Sequence, residues 1–144
     1  MENDLNAFLG LRYMKLNVIA QKPLVDTKDV VIMEKYDFSA MVISSFLVEI
    51  GFVTRVVRKP ENLIAEITKQ EPKILFYEWD QGAEEDKNLL KKIRNDFPKI
   101  EVVVIRHTAQ KVSLDELFVY FKINKIVVRP FSRREVTKVV SSIK

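Results

Sequence analysis

The 144-residue chain has no cysteine. That excludes disulfides, thiolate metal sites and cysteine nucleophiles. Glycine is almost as scarce, with only Gly10, Gly51 and Gly82. No Walker phosphate loop, Gly-rich dinucleotide turn or G-x-S-x-G nucleophile elbow can be assembled from three isolated glycines. His107 is the single histidine, so it has no second imidazole with which to build a metal cluster, and it reads as a loop residue. The longest apolar runs are four to five residues, Val102–Ile105 among them, against the ~20 that a membrane-spanning helix needs. The chain starts Met-Glu-Asn-Asp, acidic where a secretory signal is basic. These absences lead to the expectation of a cytoplasmic protein with no cofactor, no metal, no membrane contact and no enzymatic activity.

Apolar residues make up 47% of the chain and charged residues 31%, an ordinary globular mixture of a size that suits one hydrophobic core. The net charge of +4 and pI near 9.2 raise the question of nucleic acid. Lys and Arg are, however, scattered singly or in pairs among acids with no stripe along one helix, so a solvated surface is the reading and nucleic acid is not an expected partner.

From Asp29 onward, short apolar runs alternate with amphipathic stretches. Val30–Met33 reads as a buried strand. Asp37 is placed to cap a helix with the inward stripe Ile43, Phe46, Leu47 and Ile50, ended by Gly51. Phe52–Arg58 is a β-branched strand and Pro60–Lys69 a helix. Ile74–Tyr77 is the third strand, and Glu85–Phe97 a helix stopped by Pro98. Val102–Ile105 is the fourth strand, followed by a Ser113–Lys122 helix with the stripe Leu114, Leu117, Phe118 and Phe121. Ile126–Val128 is the fifth strand and Ser132–Ile143 the closing helix. Strands that are apolar throughout are covered on both faces, so the alternation predicts an α/β three-layer sandwich around a parallel five-stranded sheet. Residues 29–144 form this unit, and residues 1–28 an N-terminal extension in which Met14, Leu16 and Val18 alternate weakly as an extra strand.

Function in open α/β sheets sits at the carboxyl ends of the strands. Those ends carry Glu34-Lys35, Glu78-Trp79-Asp80, Arg106-His107 and Arg129-Pro130-Phe131. On pattern alone this convergence of charge is either an active site or a structural ion network.

The segments Ile74-Leu-Phe-Tyr-Glu-Trp-Asp80, Leu89-Leu-Lys-Lys-Ile-Arg94, Val127-Val-Arg-Pro-Phe-Ser132 and Ile50-Gly-Phe52 together resemble the response-regulator receiver domain, in register over about four-fifths of the chain. The resemblance implies the flavodoxin-like (βα)5 form with strand order 2-1-3-4-5 and a cis Arg129–Pro130 bond. It also implies where the family's chemistry would lie, and there this chain departs from it. The family's paired acids for Mg²⁺ become Glu34 and Lys35. The phospho-acceptor aspartate becomes Glu78. The hydroxyl residue after the fourth strand becomes Arg106, the lysine before the proline becomes Arg129, and the aromatic switch residue becomes Ile126. Asp80 falls two residues beyond the strand end, where the family uses a backbone carbonyl, which disfavours it as a replacement acceptor.

Acyl-phosphate formation needs an in-line carboxylate and a metal to neutralise the developing charge. A Lys35 ammonium in place of a ligand repels that metal, so Glu78 is expected to accept a salt bridge from Lys35 or Arg129. Arg106 is left open between folding outward and clamping Glu78, and whether Glu78 mimics a phosphorylated state is likewise open. The expected function is a phosphorylation-independent pseudo-receiver, a protein–protein interaction module in bacterial signal transduction. Its alternatives are a phosphoryl-accepting regulator with atypical chemistry and a regulatory domain of a transcription factor. The partner surface implied by the family is the Ser113–Lys122 helix, the fifth strand and the last helix, where Val119 and Tyr120 lie off the core stripe. Residues 1–28, with Leu5, Phe8, Leu9 and Leu11, would pack on their own domain or on a neighbour, including as a homodimer.

Overall fold

A computed structural model of the chain describes residues 29–79, 84–107, 119 and 121–143, with His107 described by its backbone alone. Five strands pair: β1 (Asp29–Met33), β2 (Val53–Val57), β3 (Ile74–Glu78), β4 (Glu101–His107) and β5 (Lys125–Arg129). They form one parallel sheet in the order β2-β1-β3-β4-β5. Four helices flank it among the described residues: α1 (Asp37–Glu49), α2 (Leu63–Lys69), α3 (Glu84–Asp96) and α4 (Arg133–Ser141).

Strand alternation explains the three layers. Val31, Met33, Leu75, Tyr77, Val102 and Val104 pack with Leu63 and Ile67 of α2 and Leu90 and Ile93 of α3. The intervening residues Val30, Ile32, Ile74, Phe76, Val103 and Ile105 pack with Ile43 and Leu47 of α1 and Val136 and Val140 of α4. Both faces are therefore apolar, which is why these strands read as unbroken hydrophobic runs. The flavodoxin-like sandwich and its strand order are as expected.

Local detail departs from the sequence reading in several places. Asp37 does not cap α1. Tyr36 is the N-cap residue with extended backbone, and Asp37 lies in the first turn, where its charge suits the helix dipole. The stretch from Pro60 opens with a short 3-10 turn, Pro60–Asn62, before α2 begins at Leu63. Proline at the start of such a turn has no N–H to leave unsatisfied. β4 runs from Glu101 to His107, three residues longer than expected, because its edge pairs with both β3 and β5. Gly51 has φ 101°, the left-handed geometry that ends α1. Ser132 caps α4 in a reciprocal capping box with Glu135. The Arg129–Pro130 bond is cis. The Ser113–Lys122 helix, apart from exposed Val119 and the residues from Phe121, lies outside the described residues. So do residues 1–28, Asp80 and Tyr120. Among the described residues no helix is long and apolar enough to cross a membrane.

Candidate functional site

Strand parity gathers the charged residues. Glu34 continues the alternation of Val30 and Ile32, Glu78 that of Ile74 and Phe76, and Arg129 that of Val127, so all three share the parity of the sheet face under α1 and α4. They meet at the carboxyl ends of β1, β3 and β5. Arg129 Nη2 donates to both Glu34 carboxylate oxygens, at 2.8 and 2.7 Å. The same nitrogen lies 3.1 Å from Glu78 Oε2. The Glu34 side chain is wholly buried and those of Glu78 and Arg129 are about nine-tenths buried. One guanidinium nitrogen thus bridges two carboxylates that belong to different strands.

Backbone donors complete the cluster. Lys35 N–H donates to Glu78 Oε1 at 3.0 Å, and Tyr36 N–H to Glu34 Oε1 at 3.2 Å. Both N–H groups sit in the turn between β1 and α1, so the acids fix the path of the chain into α1. The Tyr36 ring covers the guanidinium, with Arg129 Cζ 5.2 Å from the ring centroid, a cation–π contact at the solvent boundary. Of the two cations expected at Glu78, Arg129 makes the salt bridge. Lys35 contributes its backbone, its residue being exposed. The positive charge of the cluster is therefore supplied from β5.

Burial drives Glu34's carboxyl pKa above the ordinary range, with the Glu78 charge pushing the same way, while hydrogen bonds from Arg129 and Tyr36 oppose the rise only in part. Burial lowers the Arg129 pKa, but Glu34 and Glu78 more than offset it, leaving the guanidinium more firmly protonated than usual. The arrangement holds two acids on one cation in a water-poor place.

The other sequence-derived positions divide. Arg106 is half-buried in β4, opposite Val128, and has the parity of Val102 and Val104, the side of the sheet facing α2 and α3. Ile126 is partly buried against the same α2/α3 cluster. Pro130 is exposed beside the site. Trp79, next to Glu78 in sequence, is buried and meets Phe121 edge to face, with centroids 5.9 Å apart. One participant, and one buried acid on the other side of the sheet, escaped the sequence reading. Tyr36 carried no signal beyond standing after Glu34-Lys35. Asp86, nearly fully buried at the start of α3, accepts a 2.7 Å hydrogen bond from the Tyr77 hydroxyl, and this bond together with burial raises the Tyr77 pKa.

The donor set among the described residues does not fit a Mg²⁺ ion. Such an ion takes about six oxygens in near-octahedral array. The two carboxylates available among the described residues already share a guanidinium, and no group of three or more metal-ligating side chains forms among those residues.

No family model matches this chain, and no curated protein matches it in sequence. Solved structures do match. Chemotaxis protein CheY4 of Vibrio cholerae superposes with TM-score 0.72 at 11% identity, over 83% of this chain and 100% of that one. The receiver domain of NtrX from Brucella abortus gives 0.70 at 19% identity, over 80% and 97%. A response regulator from Thermotoga maritima gives 0.70 at 21% identity, over 81% and 97%. Against a longer NtrX structure, from Brucella abortus in complex with ADP, the TM-score is 0.70 at 17% identity, and the chain spans about a quarter of that protein's length, 25%. At these identities the likeness is one of fold: the chain has the receiver fold of bacterial two-component response regulators.

Proposed function

We propose that this domain is a phosphorylation-independent receiver-type module, a protein-binding element in bacterial signalling that carries out no phosphoryl transfer. The observation that supports this most directly is the Arg129 guanidinium bonded to Glu34 and 3.1 Å from Glu78. In the receiver family, as the resemblance maps it, the corresponding positions hold a metal-binding acid, the acidic acceptor and a lysine. Here one internal cation is shared between both acids, and Lys35 replaces the second metal ligand. Acyl-phosphate chemistry at Glu78 would need a metal admitted where the guanidinium now sits, and that cation displaced against the attraction of two buried carboxylates. The cluster ties β1, β3 and β5 together and so holds one conformation of the strand ends, which suits a surface presented to a partner without switching.

The test uses the full chain. Mg²⁺ and then a small phosphodonor are titrated while Trp79 emission and intact mass are followed. The expected result is no saturable fluorescence response and no added phosphoryl mass. Saturable Mg²⁺ quenching accompanied by a phosphoryl adduct would overturn the reading and make the domain a phosphoryl acceptor with atypical residues.

A further inference from the structure

Several exposed apolar residues lie along α1 and the sheet edge. Phe38, Met41 and Val48 of α1 are 79%, 69% and 56% exposed, and Val56 of β2 is 42% exposed. Met41, Val48 and Val56 line a groove of about 710 Å³. The groove runs the length of α1. The Arg58–Asp37 ion pair closes it at the carboxyl end of the sheet, and Glu49 marks the amino end. Its outer wall is β2, the edge strand of the sheet, paired on one side by β1. A monomeric surface seldom leaves such a patch bare without a use for it.

The geometry points to one occupant, and we infer that the groove is covered by the chain's own N-terminal segment, with Leu5, Phe8 and Leu9 seated on Met41, Val48 and Val56. Three observations carry this. The first is the point of attachment. β1 begins at Asp29, which pairs in register with Val53 at the start of β2, and Phe52 N–H bonds to Leu47 O at the end of α1. The described chain therefore starts, at Asp29, at the amino end of the groove.

The second is length. α1 has 13 residues, a rise of about 20 Å. The 17 residues from Arg12 to Lys28 can extend over about 55 Å, enough to bring residues 5–9 to any point on the groove.

The third is the sequence of the segment. Leu5, Phe8 and Leu9 recur at i, i+3 and i+4 with polar Asp4 and Asn6 beside them, an apolar stripe that a groove can take. Tethering also favours this occupant over a second copy, because a covalent connection of this length gives an effective concentration on the order of millimolar.

The absence of native cysteine makes the test direct. Phe8→Cys is combined with Met41→Cys in one full-length variant and, as a control, with Lys91→Cys on α3 in another. Under mild oxidation the Met41→Cys pair should close as a monomer-sized disulfide on the order of tenfold faster than the control, the signature of a tethered contact. Closure mainly as a disulfide-linked dimer overturns the inference in favour of a second copy. A rate equal to that of the control overturns it in favour of a groove open to another protein.

Peroxide footprinting gives an independent readout without cysteines. Met41 in the unmodified chain should oxidise several-fold more slowly than in a Phe8→Asp, Leu9→Asp variant, with buried Met33 as the unchanged reference. Equal Met41 rates in the two proteins overturn the inference.

Discussion

Two arginines in this domain each hold two carboxylates, and they do so in opposite ways. Beside the amino end of β1, Arg55 spreads its donors. Nε and Nη2 meet the two Asp29 oxygens at 3.3 and 2.8 Å, Nη1 reaches Glu66 at 2.7 Å, and Nη2 also reaches the Gln70 carbonyl at 2.7 Å. Gln70 adds a donor to Asp29, and Lys69 stands 3.7 Å from Glu66. At the carboxyl ends of the strands, Arg129 brings one nitrogen to two acids, of which Glu34 is wholly buried and Glu78 about as buried as Asp29. The first cluster is forked, balanced in charge and a quarter exposed at its Glu66 end. The second concentrates two negative charges on one buried donor. Guanidinium–carboxylate pairs are strongest when bidentate, so the Arg55 cluster reads as a brace for β2 and α2. The Arg129 cluster reads as a tie between the carboxyl ends of β1, β3 and β5.

If burial separates the two clusters, removing each cation should cost unequal amounts. Arg129→Met leaves Glu34 and Glu78 buried without their cation and is expected to destabilise the domain by about 3–5 kcal/mol, read from urea unfolding followed by Trp79 emission. Arg55→Met leaves Glu66 a quarter exposed and Asp29, although buried, still bonded to Gln70, and about 1–2 kcal/mol is expected in the same assay. Equal costs for the two variants would break the comparison.

Acidity sharpens the contrast. Because burial raises Glu34's pKa above its ordinary value of 4.5, the folded protein holds that proton more tightly than the unfolded chain does. The associated stability is present in full below pH 4.5 and is lost as pH rises through the folded-state pKa. An ordinary salt-bridged glutamate, with a depressed pKa, would show the reverse. Unfolding free energies measured across this range should therefore slope downward with pH for the natural chain, and Glu34→Gln should flatten that slope.

The smallest effect belongs to Glu49→Gln. The Arg133–Glu49 pair is 3.0 Å long, yet both side chains are at least half exposed, so a change below about 0.5 kcal/mol is expected. A larger loss would show that pairing, rather than burial, sets the scale for all three arginines.

Much of the fold was legible before any coordinates. Val30–Met33, Ile74–Tyr77 and Val102–Ile105 announce buried strands because covered faces leave no polar alternation to confuse the pattern. Gly51 marks its turn because a left-handed residue there favours glycine. The strand order came from resemblance, since periodicity carries no information about which strands lie side by side. The helix starts were less legible. Asp37 has the chemistry of a cap, but the Glu34 carboxylate takes the Tyr36 N–H, and the chain turns into α1 one residue earlier.

The candidate site divides along the same line. Residue types at strand ends named Glu34, Glu78 and Arg129 as neighbours, because every parallel strand delivers its last side chains to one end of the sheet. Composition and spacing could not say which cation would take the acids. Lys35 is adjacent to Glu34, whereas Arg129 stands 95 residues away. Strand parity, the β1-β3-β4-β5 pairing and the burial of α4 against the sheet bring the distant arginine in and leave the adjacent lysine outside. Local chemistry is written along the chain, but the choice among partners of like charge depends on distance and dielectric, and those exist only once the sheet has closed around them.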